Sequence, residues 1–181
     1  MKRVLLITGS PGVGKTTVLT KTVNILKERG CRVGGMISRE VRESGVRVGF
    51  EILDLSSQKH GWLANVKQKT GPRLGKYRVN LADLESVGAE AIIEAIENCD
   101  IIAIDEIGPM ELFSEKFRDA VQKALESSKL VLAVVHWKAQ DKLINEAKSI
   151  KDAEIFAVTP ENRDQLSQTL AETAIETFKK G

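Results

Sequence analysis

The sequence Gly9-Ser10-Pro11-Gly12-Val13-Gly14-Lys15-Thr16 decides the fold, because it matches the phosphate-loop pattern G-x-x-x-x-G-K-T. Val4 to Ile7 form a short apolar run before the loop, which is typical of a parallel strand buried on both faces. After the loop, Thr16 to Arg29 carries its apolar residues at helical spacing, and Gly30 stands where a helix C-terminal cap belongs. The order of strand, glycine loop and helix predicts an anion-binding loop at the carboxyl end of a strand.

A loop of this kind binds phosphate through its backbone. Several N–H groups and the positive end of the following helix converge on one anion, and glycines leave the room that a Cβ atom would fill. We therefore expect all eight residues from Gly9 to Thr16 to contact a nucleotide. The Lys15 ammonium would contact the β and γ phosphates, and the Thr16 hydroxyl would bind Mg²⁺ as a cofactor.

The remaining sequence alternates short β-branched runs with longer segments of helical period, which indicates an α/β fold with a mainly parallel sheet flanked by helices. Together with the phosphate loop, this order predicts a P-loop NTPase fold. Further strands are predicted at Ile101–Ile104, Leu130–Val135 and Ile155–Val158, and further helices at Leu84–Asn98, after Ser114, at Lys138–Lys148 and from Thr159-Pro160.

One region interrupts the alternation of strands and helices. Arg32–Ser38 and Val46–Leu55 both have the pattern of extended strands, and Arg42-Glu43-Ser44-Gly45 between them has the composition of a turn. These segments predict a β-hairpin inserted beside or onto the sheet. Ser56–Asn80 follows with many Lys, Gly, Ser and Gln residues and little periodicity, so we expect a mobile loop or lid there.

The second motif is Ile101-Ile102-Ala103-Ile104-Asp105-Glu106, in which four apolar residues lead into two carboxylates. If this strand lies beside the first strand or next but one to it, both carboxylates lie near the phosphate loop, because α/β sheets bind ligands at the carboxyl ends of their strands. Asp105 is then expected to hold Mg²⁺, and Glu106 to orient or deprotonate a water molecule. A carboxylate in this place favours a hydrolase over a kinase, which must exclude water.

The composition narrows the class of protein. A chain of 181 residues, 42% of them hydrophobic, is expected to form one domain, residues 1–181. Its 27 basic and 25 acidic residues leave a formal charge of +2, which gives no electrostatic footprint for nucleic acid. Cys31 and Cys99 form neither a C-x-x-C pair nor a Cys/His cluster, and no apolar run suits a signal peptide or a membrane span. These features predict a cytoplasmic protein that does not associate with membranes.

Several segments of the chain resemble the THEP family of small P-loop nucleoside triphosphatases. They occur in the same order over nearly the whole chain, and they are Arg47–Phe50 (RVGF), Gly75–Asn80 (GKYRVN), Asp105–Leu112 (DEIGPMEL) and Thr159–Arg163 (TPENR). The resemblance implies hydrolysis of ATP, GTP, CTP and UTP, with TTP and, weakly, diphosphates as further substrates, on a RecA-like or kinase-like sheet. It also implies nucleotide contacts from the phosphate loop and from Asp105, Glu106, Ile107 and Gly108.

Two positions depart from the family pattern. Pro109 stands where a lysine is frequent, which removes a candidate phosphate contact. Val135-His136-Trp137 stands where the family has Thr-x-Pro, which removes a hydroxyl that would sense the γ-phosphate and leaves His136 as an alternative donor. Glu111 is expected to face solvent. Five arginines are candidates for an arginine finger: Arg39, Arg47, Arg73, Arg78 and Arg163.

The residues leave three hypotheses open. The favoured one is a Mg²⁺-dependent nucleoside triphosphatase, with Lys15 and Glu106 as catalytic residues and Thr16 and Asp105 as metal ligands. The alternative is a small nucleotide or metabolite kinase, in which Ser56–Asn80 closes over an acceptor. The third is a nucleotide-switched binding module, whose slow hydrolysis a protein partner accelerates. No residue pattern points to a particular protein partner.

Overall fold

The computed structural model describes residues 2–179; Met1, Lys180 and Gly181 lie outside the described residues. The strands are β1 (Val4–Thr8), β2 (Val33–Glu43), β3 (Val46–Asp54), β4 (His60–Asn65), β5 (Arg73–Leu74), β6 (Tyr77–Val79), β7 (Ile101–Ile107), β8 (Leu130–Val135) and β9 (Ala153–Ala157). They form one sheet with the spatial order β5-β6-β4-β3-β2-β7-β8-β1-β9.

The helices are α1 (Lys15–Glu28), α2 (Leu81–Asp83), α3 (Glu90–Asn98), α4 (Glu115–Glu126), α5 (Lys142–Ser149) and α6 (Arg163–Lys179). A π-helical turn at Leu84–Ala89 joins α2 to α3, and a 3₁₀ turn at Glu111–Phe113 precedes α4. The Ser114 hydroxyl accepts from the N–H of Phe117 and caps α4, as predicted. Among residues 2–179, no helix has both the length and the apolar character that crossing a bilayer requires.

The parallel half of the sheet consists of β2, β7, β8, β1 and β9. Strand β8 lies between β1 and β7, so the strand that carries Asp105 is next but one to the strand that leads into the phosphate loop. All their carboxyl ends lie at one edge of the sheet, where α/β proteins bind ligands. The predicted α/β sheet is therefore confirmed.

The core lies on both faces of this parallel half. Val4 and Leu6 of β1 pack into a buried cluster with residues of α3, α4 and α5. Leu5 and Ile7 point the other way and pack with residues of α1 and α6. Because successive residues of a strand face opposite sides of the sheet, burial on both sides requires the uninterrupted apolar run that the sequence shows.

The predicted hairpin is confirmed, and it extends the same sheet. The first residues of β2, Val33–Met36, pair with β7 in parallel, and its later residues pair with β3 in antiparallel. The turn consists of Ser44 and Gly45, which have φ values of 49° and 77°. Positive φ at both central residues is typical of the type I′ turn, whose twist suits a two-residue hairpin.

The prediction of a mobile loop or lid over Ser56–Asn80 is wrong, because β4, β5 and β6 lie in this segment and continue the antiparallel half. These strands have two to six residues each, which is too short for a clear alternation pattern. The residues that precede and separate these strands include Lys59, Lys67, Lys69 and Lys76, and charges near the edge of a sheet prevent pairing with other chains. Tyr77 of β6 is buried and packs edge-on against Phe50, with ring centroids 5.3 Å apart.

Two helix starts differ from the prediction. The predicted helix at Lys138–Lys148 begins only at α5, because Asp141 caps it by accepting from the N–H of Leu143 at 2.9 Å. The C-terminal helix begins at α6 rather than at Pro160. Before α6, the Thr159 hydroxyl accepts from the N–H of Asn162, and the Asn162 side-chain oxygen accepts from the N–H of Thr159, so these residues form a turn that precedes the helix.

Candidate active site

The phosphate loop connects β1 to α1, and its backbone has the predicted shape. Gly14 has φ +112° immediately before α1, a conformation that other residues rarely adopt. At the start of the loop, a Cβ atom on Gly9 would lie 2.9 Å from the carbonyl oxygen of Val158. Pro11, Gly12 and Gly14 line a cavity. The loop therefore leaves the N-terminus of α1 open to this cavity, and the unpaired N–H groups of a first helical turn attract anions.

Lys15 is held against the loop by hydrogen bonds to the backbone. Its Nζ atom donates to the carbonyl oxygens of Gly9, at 2.8 Å, and Ser10, at 3.1 Å. The side chain thus folds back over the loop and lines the cavity, together with Thr16 and Thr17 from the first turn of α1. The cation and the hydroxyl predicted to bind phosphate and metal therefore lie in one site.

Asp105 and Glu106 line the same cavity, although neighbours on a regular strand point in opposite directions. An irregularity in β7 accounts for this arrangement. Ile104 pairs with Ala133 and Ile107 pairs with Val135, so β7 has one residue more than β8 across this interval. An extra residue of this kind re-aims side chains, as β-bulges next to active sites do.

Burial dominates the electrostatics of Asp105. The residue is 2% exposed, and among the described residues its Oδ2 atom is buried without a hydrogen-bond partner. Burial raises the pKa of Asp105 from 3.8 to about 7; the Thr16 hydroxyl opposes this rise, and the Glu106 charge adds to it. A buried carboxylate oxygen without a partner, close to a threonine hydroxyl, fits a Mg²⁺ ligand set of oxygen atoms.

Glu106 is less buried than Asp105, and burial also raises its pKa above 4.5. The positive charge of Lys15 acts in the opposite direction and lowers this pKa. Gly108 leaves room for the side chain, since a Cβ atom on Gly108 would lie 2.5 Å from the Glu106 Oε1 atom. The Glu106 carboxylate in the cavity therefore binds a proton more tightly than the carboxylate of an exposed glutamate does.

Glu111 was expected to face solvent, and this expectation is wrong. It is 3% exposed and lines the cavity. Burial, reinforced by the negative charge of Glu106, raises the pKa of Glu111 well above 4.5. The chain turns back after β7, where the N–H of Leu112 donates to the carbonyl oxygen of Gly108, and this turn directs Glu111 inward. No periodicity in the sequence signals such a single turn.

Other predicted residues occupy different places. Val13 and Ile107 are buried in the core and are not among the residues that line the cavity. The Val13 carbonyl oxygen accepts from Arg163 at 3.4 Å, and the Ile107 carbonyl oxygen accepts from the N–H of His136 at 3.1 Å. His136, the first residue after β8, also lines the cavity.

The cavity has a volume of about 520 Å³ and extends beyond the carboxylates. Its end away from the phosphate loop is lined by Phe50, Leu63 and Leu74 of β3, β4 and β5, because these strands lie on the other side of β7 from β1. Met110 and Trp137 also line the cavity. Of the five candidate arginine fingers, Arg39 alone lines the cavity, where its guanidinium pairs with Glu51 at 2.7 Å. Pro109, which lacks the lysine charge of the family pattern, also lies in the wall.

A phosphate loop on the parallel half of a mixed sheet, with two carboxylates at the edge it faces, defines the class of P-loop nucleotide-binding proteins. Residues 4–171 match the NTPase family (NTPase_1). The chain therefore belongs to this NTPase family, and its relatives include nucleoside triphosphatases of the THEP1 type.

Three known proteins illustrate this membership. Nucleoside-triphosphatase THEP1 of Thermofilum pendens is 47% identical over 167 residues, which cover 92% of each chain. The crystal structure of THEP1 from Aquifex aeolicus matches with a TM-score of 0.82 at 32% identity, over 94% of this chain and 98% of that one. The solution structure of a human cancer-related nucleoside triphosphatase matches with a TM-score of 0.80 at 34% identity, over 97% of this chain and 98% of that one.

Proposed function

We propose that the protein is a Mg²⁺-dependent nucleoside triphosphatase that hydrolyses ATP, GTP, CTP and UTP to the diphosphate and phosphate. One observation carries the proposal: Lys15, Thr16, Asp105 and Glu106 line a single cavity at the carboxyl edge of the parallel strands. This set contains a phosphate-binding cation, two oxygen ligands for a metal and a carboxylate for water. Phosphoryl transfer depends mainly on such positioning and charge stabilisation.

Lys15 and the phosphate loop bind the triphosphate. The Lys15 ammonium is already positioned over the loop by the carbonyl oxygens of Gly9 and Ser10. Phosphate oxygens are stronger acceptors for an ammonium group than carbonyl oxygens, because they carry negative charge. A bound triphosphate would therefore recruit the ammonium without a large rearrangement of its side chain.

Thr16 and Asp105 are the residues that would hold Mg²⁺. Mg²⁺ binds through one or two protein oxygens and the substrate phosphates, and when bound it neutralises the charge that develops on the β and γ phosphates. The unpaired, buried Oδ2 atom of Asp105 supports this assignment, because burial without a partner is costly for a carboxylate that has only a structural role.

Glu106 would orient the attacking water and accept its proton. The water oxygen bonds to the γ-phosphorus, the bond between that phosphorus and the β–γ bridging oxygen breaks, and the proton passes to the Glu106 carboxylate. Burial raises the pKa of Glu106 above 4.5, which makes the group a better base near neutral pH. The diphosphate and inorganic phosphate then leave, and Glu106 returns its proton to solvent.

Glu106→Gln tests the proposal, because it keeps the size of the side chain and removes the base. We expect kcat to fall by about 10² to 10⁴, with nucleotide affinity unchanged. Single-turnover phosphate release and calorimetric titration with nucleotide measure the two quantities. Parental turnover in this variant would contradict the role of Glu106 and remove the main support for a hydrolase.

A small-molecule kinase is the second candidate, favoured by the end of the cavity that Phe50, Leu63 and Leu74 line. A ligand there would lie beyond the carboxylates, where an acceptor could receive the phosphoryl group. The discriminating measurement is phosphate release from triphosphate and Mg²⁺ with no acceptor added. Release at a steady rate supports the triphosphatase, whereas release that needs an added alcohol or nucleotide supports the kinase.

A further inference from the structure

His136 occupies a central position at the edge of the sheet. It follows β8 directly, and β8 lies between β1, which leads into the phosphate loop, and β7, which carries the two carboxylates. The three strands are parallel, so their carboxyl ends lie side by side. His136 therefore stands between Lys15 on one side and Asp105 and Glu106 on the other, and its side chain lines the cavity they share.

Hydrogen bonds to the backbone fix the orientation of the imidazole ring. Its Nδ1 atom accepts from the N–H of Lys138 at 3.2 Å and from the N–H of Ala139 at 3.0 Å. The N–H of His136 itself donates to the carbonyl oxygen of Ile107 at 3.1 Å. A ring nitrogen that accepts hydrogen bonds from two N–H groups has no proton of its own. The neutral ring therefore has its proton on Nε2. His136 is thus a donor at Nε2 and not an acceptor.

None of the side-chain hydrogen bonds within residues 2–179 uses this Nε2–H group. His136 lines the cavity, and its neighbours there are the groups expected to surround a γ-phosphate. Asp105 would hold the metal and Glu106 the water that attacks the γ-phosphorus, so the γ end of a bound triphosphate would lie beside these carboxylates.

We propose that His136 donates a hydrogen bond from Nε2 to the γ-phosphate of a bound triphosphate. The inference rests on the proposed function of the same cavity. In this role His136 distinguishes triphosphate from diphosphate, because a diphosphate has no phosphate at that position. It also stabilises charge on the γ-phosphate oxygens during transfer, and removing one such donor typically lowers kcat about 10² to 10³-fold.

Two substitutions separate this role from a structural one. In His136→Asn, the amide oxygen takes the place of Nδ1 and can still accept from the N–H groups two and three residues on, while the donor at Nε2 is lost. In His136→Gln, the amide nitrogen reaches towards the position of Nε2, while the acceptor for Lys138 and Ala139 is lost. His60→Asn is the matched control, since His60 is exposed on β4 and does not line the cavity.

The experiment measures the affinity of each variant for the β,γ-imido analogue of ATP and for ADP, both with Mg²⁺, by calorimetry. For His136→Asn we expect the affinity for the analogue to fall about 10- to 100-fold and the affinity for ADP to remain at the parental value. Single-turnover phosphate release from ATP should fall in parallel. His136→Gln should recover part of the preference for the analogue although its melting temperature is lower. The His60→Asn variant should match the parent in every measurement.

Three results would overturn the proposal. The first is a His136→Asn variant with the parental ratio of the two affinities, and the second is an equal loss for the analogue and ADP, as a structural role would produce. The third is a His136→Gln variant whose affinity ratio is no higher than that of His136→Asn. If the parent hydrolyses no triphosphate, the proposed function fails, but the two affinities still test His136, because neither measurement needs turnover.

Discussion

Asp105→Asn should stabilise the protein in the absence of metal and nucleotide, while it impairs hydrolysis. The Asp105 side chain is buried, its Oδ2 atom has no hydrogen-bond partner among the described residues, and the Glu106 charge acts on it. Asparagine has nearly the same shape and no charge. The substitution therefore removes the cost of burying an unpaired carboxylate, which is large because a low-dielectric interior disfavours the charged form.

Proton linkage gives the sign and the size of the change in unfolding free energy that Asp105→Asn should cause. The pKa of Asp105 is raised from 3.8 to about 7, so between these values the folded state binds more protons than the unfolded state. Stability consequently falls as the pH rises from about 4 to about 7. The stability lost because Asp105 ionises less readily in the folded state is about 4 kcal/mol of unfolding free energy at pH 8 and less than about 1 kcal/mol at pH 4. Asp105→Asn should gain about 2 to 4 kcal/mol over the parent at pH 8, and little at pH 4.

Urea unfolding of both proteins at pH 4, 6 and 8, with a chelator and without nucleotide, measures this gain. Asp54→Asn is the control, because Asp54 is also buried, at 4% exposure, but has donors. Its Oδ1 atom accepts from the N–H of Ser56 at 2.8 Å, and its Oδ2 atom accepts from the Ser57 hydroxyl at 2.6 Å. Removing that paired charge should destabilise the protein by about 1 to 3 kcal/mol at pH 8.

A gain of the same size at pH 4 and pH 8 would refute the reasoning, since linkage requires the gain to grow as the carboxylate ionises. A loss of stability in Asp105→Asn at pH 8 would refute it as well. Adding Mg²⁺ and a non-hydrolysable triphosphate should reverse the order, because a ligand stabilises the form that binds it more tightly, and that form is the parent.

The remaining predictions concern the phosphate loop, the base and the sheet. Lys15→Ala should lose triphosphate affinity, by about 1.5 to 3 kcal/mol or more, together with activity, and near-normal turnover in a phosphate-release assay would contradict the phosphate-loop assignment. The kcat/KM values for ATP, GTP, CTP and UTP should lie within about two orders of magnitude, because no segment of the sequence offers an evident set of hydrogen-bond partners for one base; a much larger preference would favour the kinase. Gly35→Ala should destabilise the protein by more than about 3 kcal/mol in urea unfolding, because the new Cβ atom would clash with the carbonyl oxygen of Ala103. Gly45→Ala is the control: its Cβ atom would lie in open space, and the substitution should cost about 1 kcal/mol.

The sequence predicts the parallel half of the fold well, because that half is buried on both faces. Strands such as Val4–Thr8 and Leu130–Val135 are continuous apolar runs, and the glycine loop between strand and helix has its own spacing. A short run of apolar residues that must be buried on both faces fits a central strand better than a loop or an exposed strand. Their order along the chain then places the phosphate loop and the Asp105-Glu106 pair at one edge of the sheet.

The antiparallel half and part of the site are less evident in the sequence. Strands β4 to β6 are short, and edge strands carry the polar residues that loops also carry, so Ser56–Asn80 has the composition of a loop. The bulge in β7 that directs both carboxylates into the cavity has no signature in residue type. Glu111 depends on a single 3₁₀ turn, whose direction is set by tertiary contacts rather than by a periodic pattern.

The three carboxyl groups of the cavity explain why stability and chemistry oppose each other at this site. Burial raises the pKa of Asp105, Glu106 and Glu111, so each costs stability when it ionises in the folded protein. Apolar side chains at these positions would fold at a lower cost, because removing buried charge is often stabilising. Bound Mg²⁺ would compensate the Asp105 charge directly. Binding of a triphosphate with Mg²⁺ should therefore stabilise the protein more than binding of the same triphosphate alone, and the difference should shrink in Asp105→Asn, where the charge at position 105 is absent.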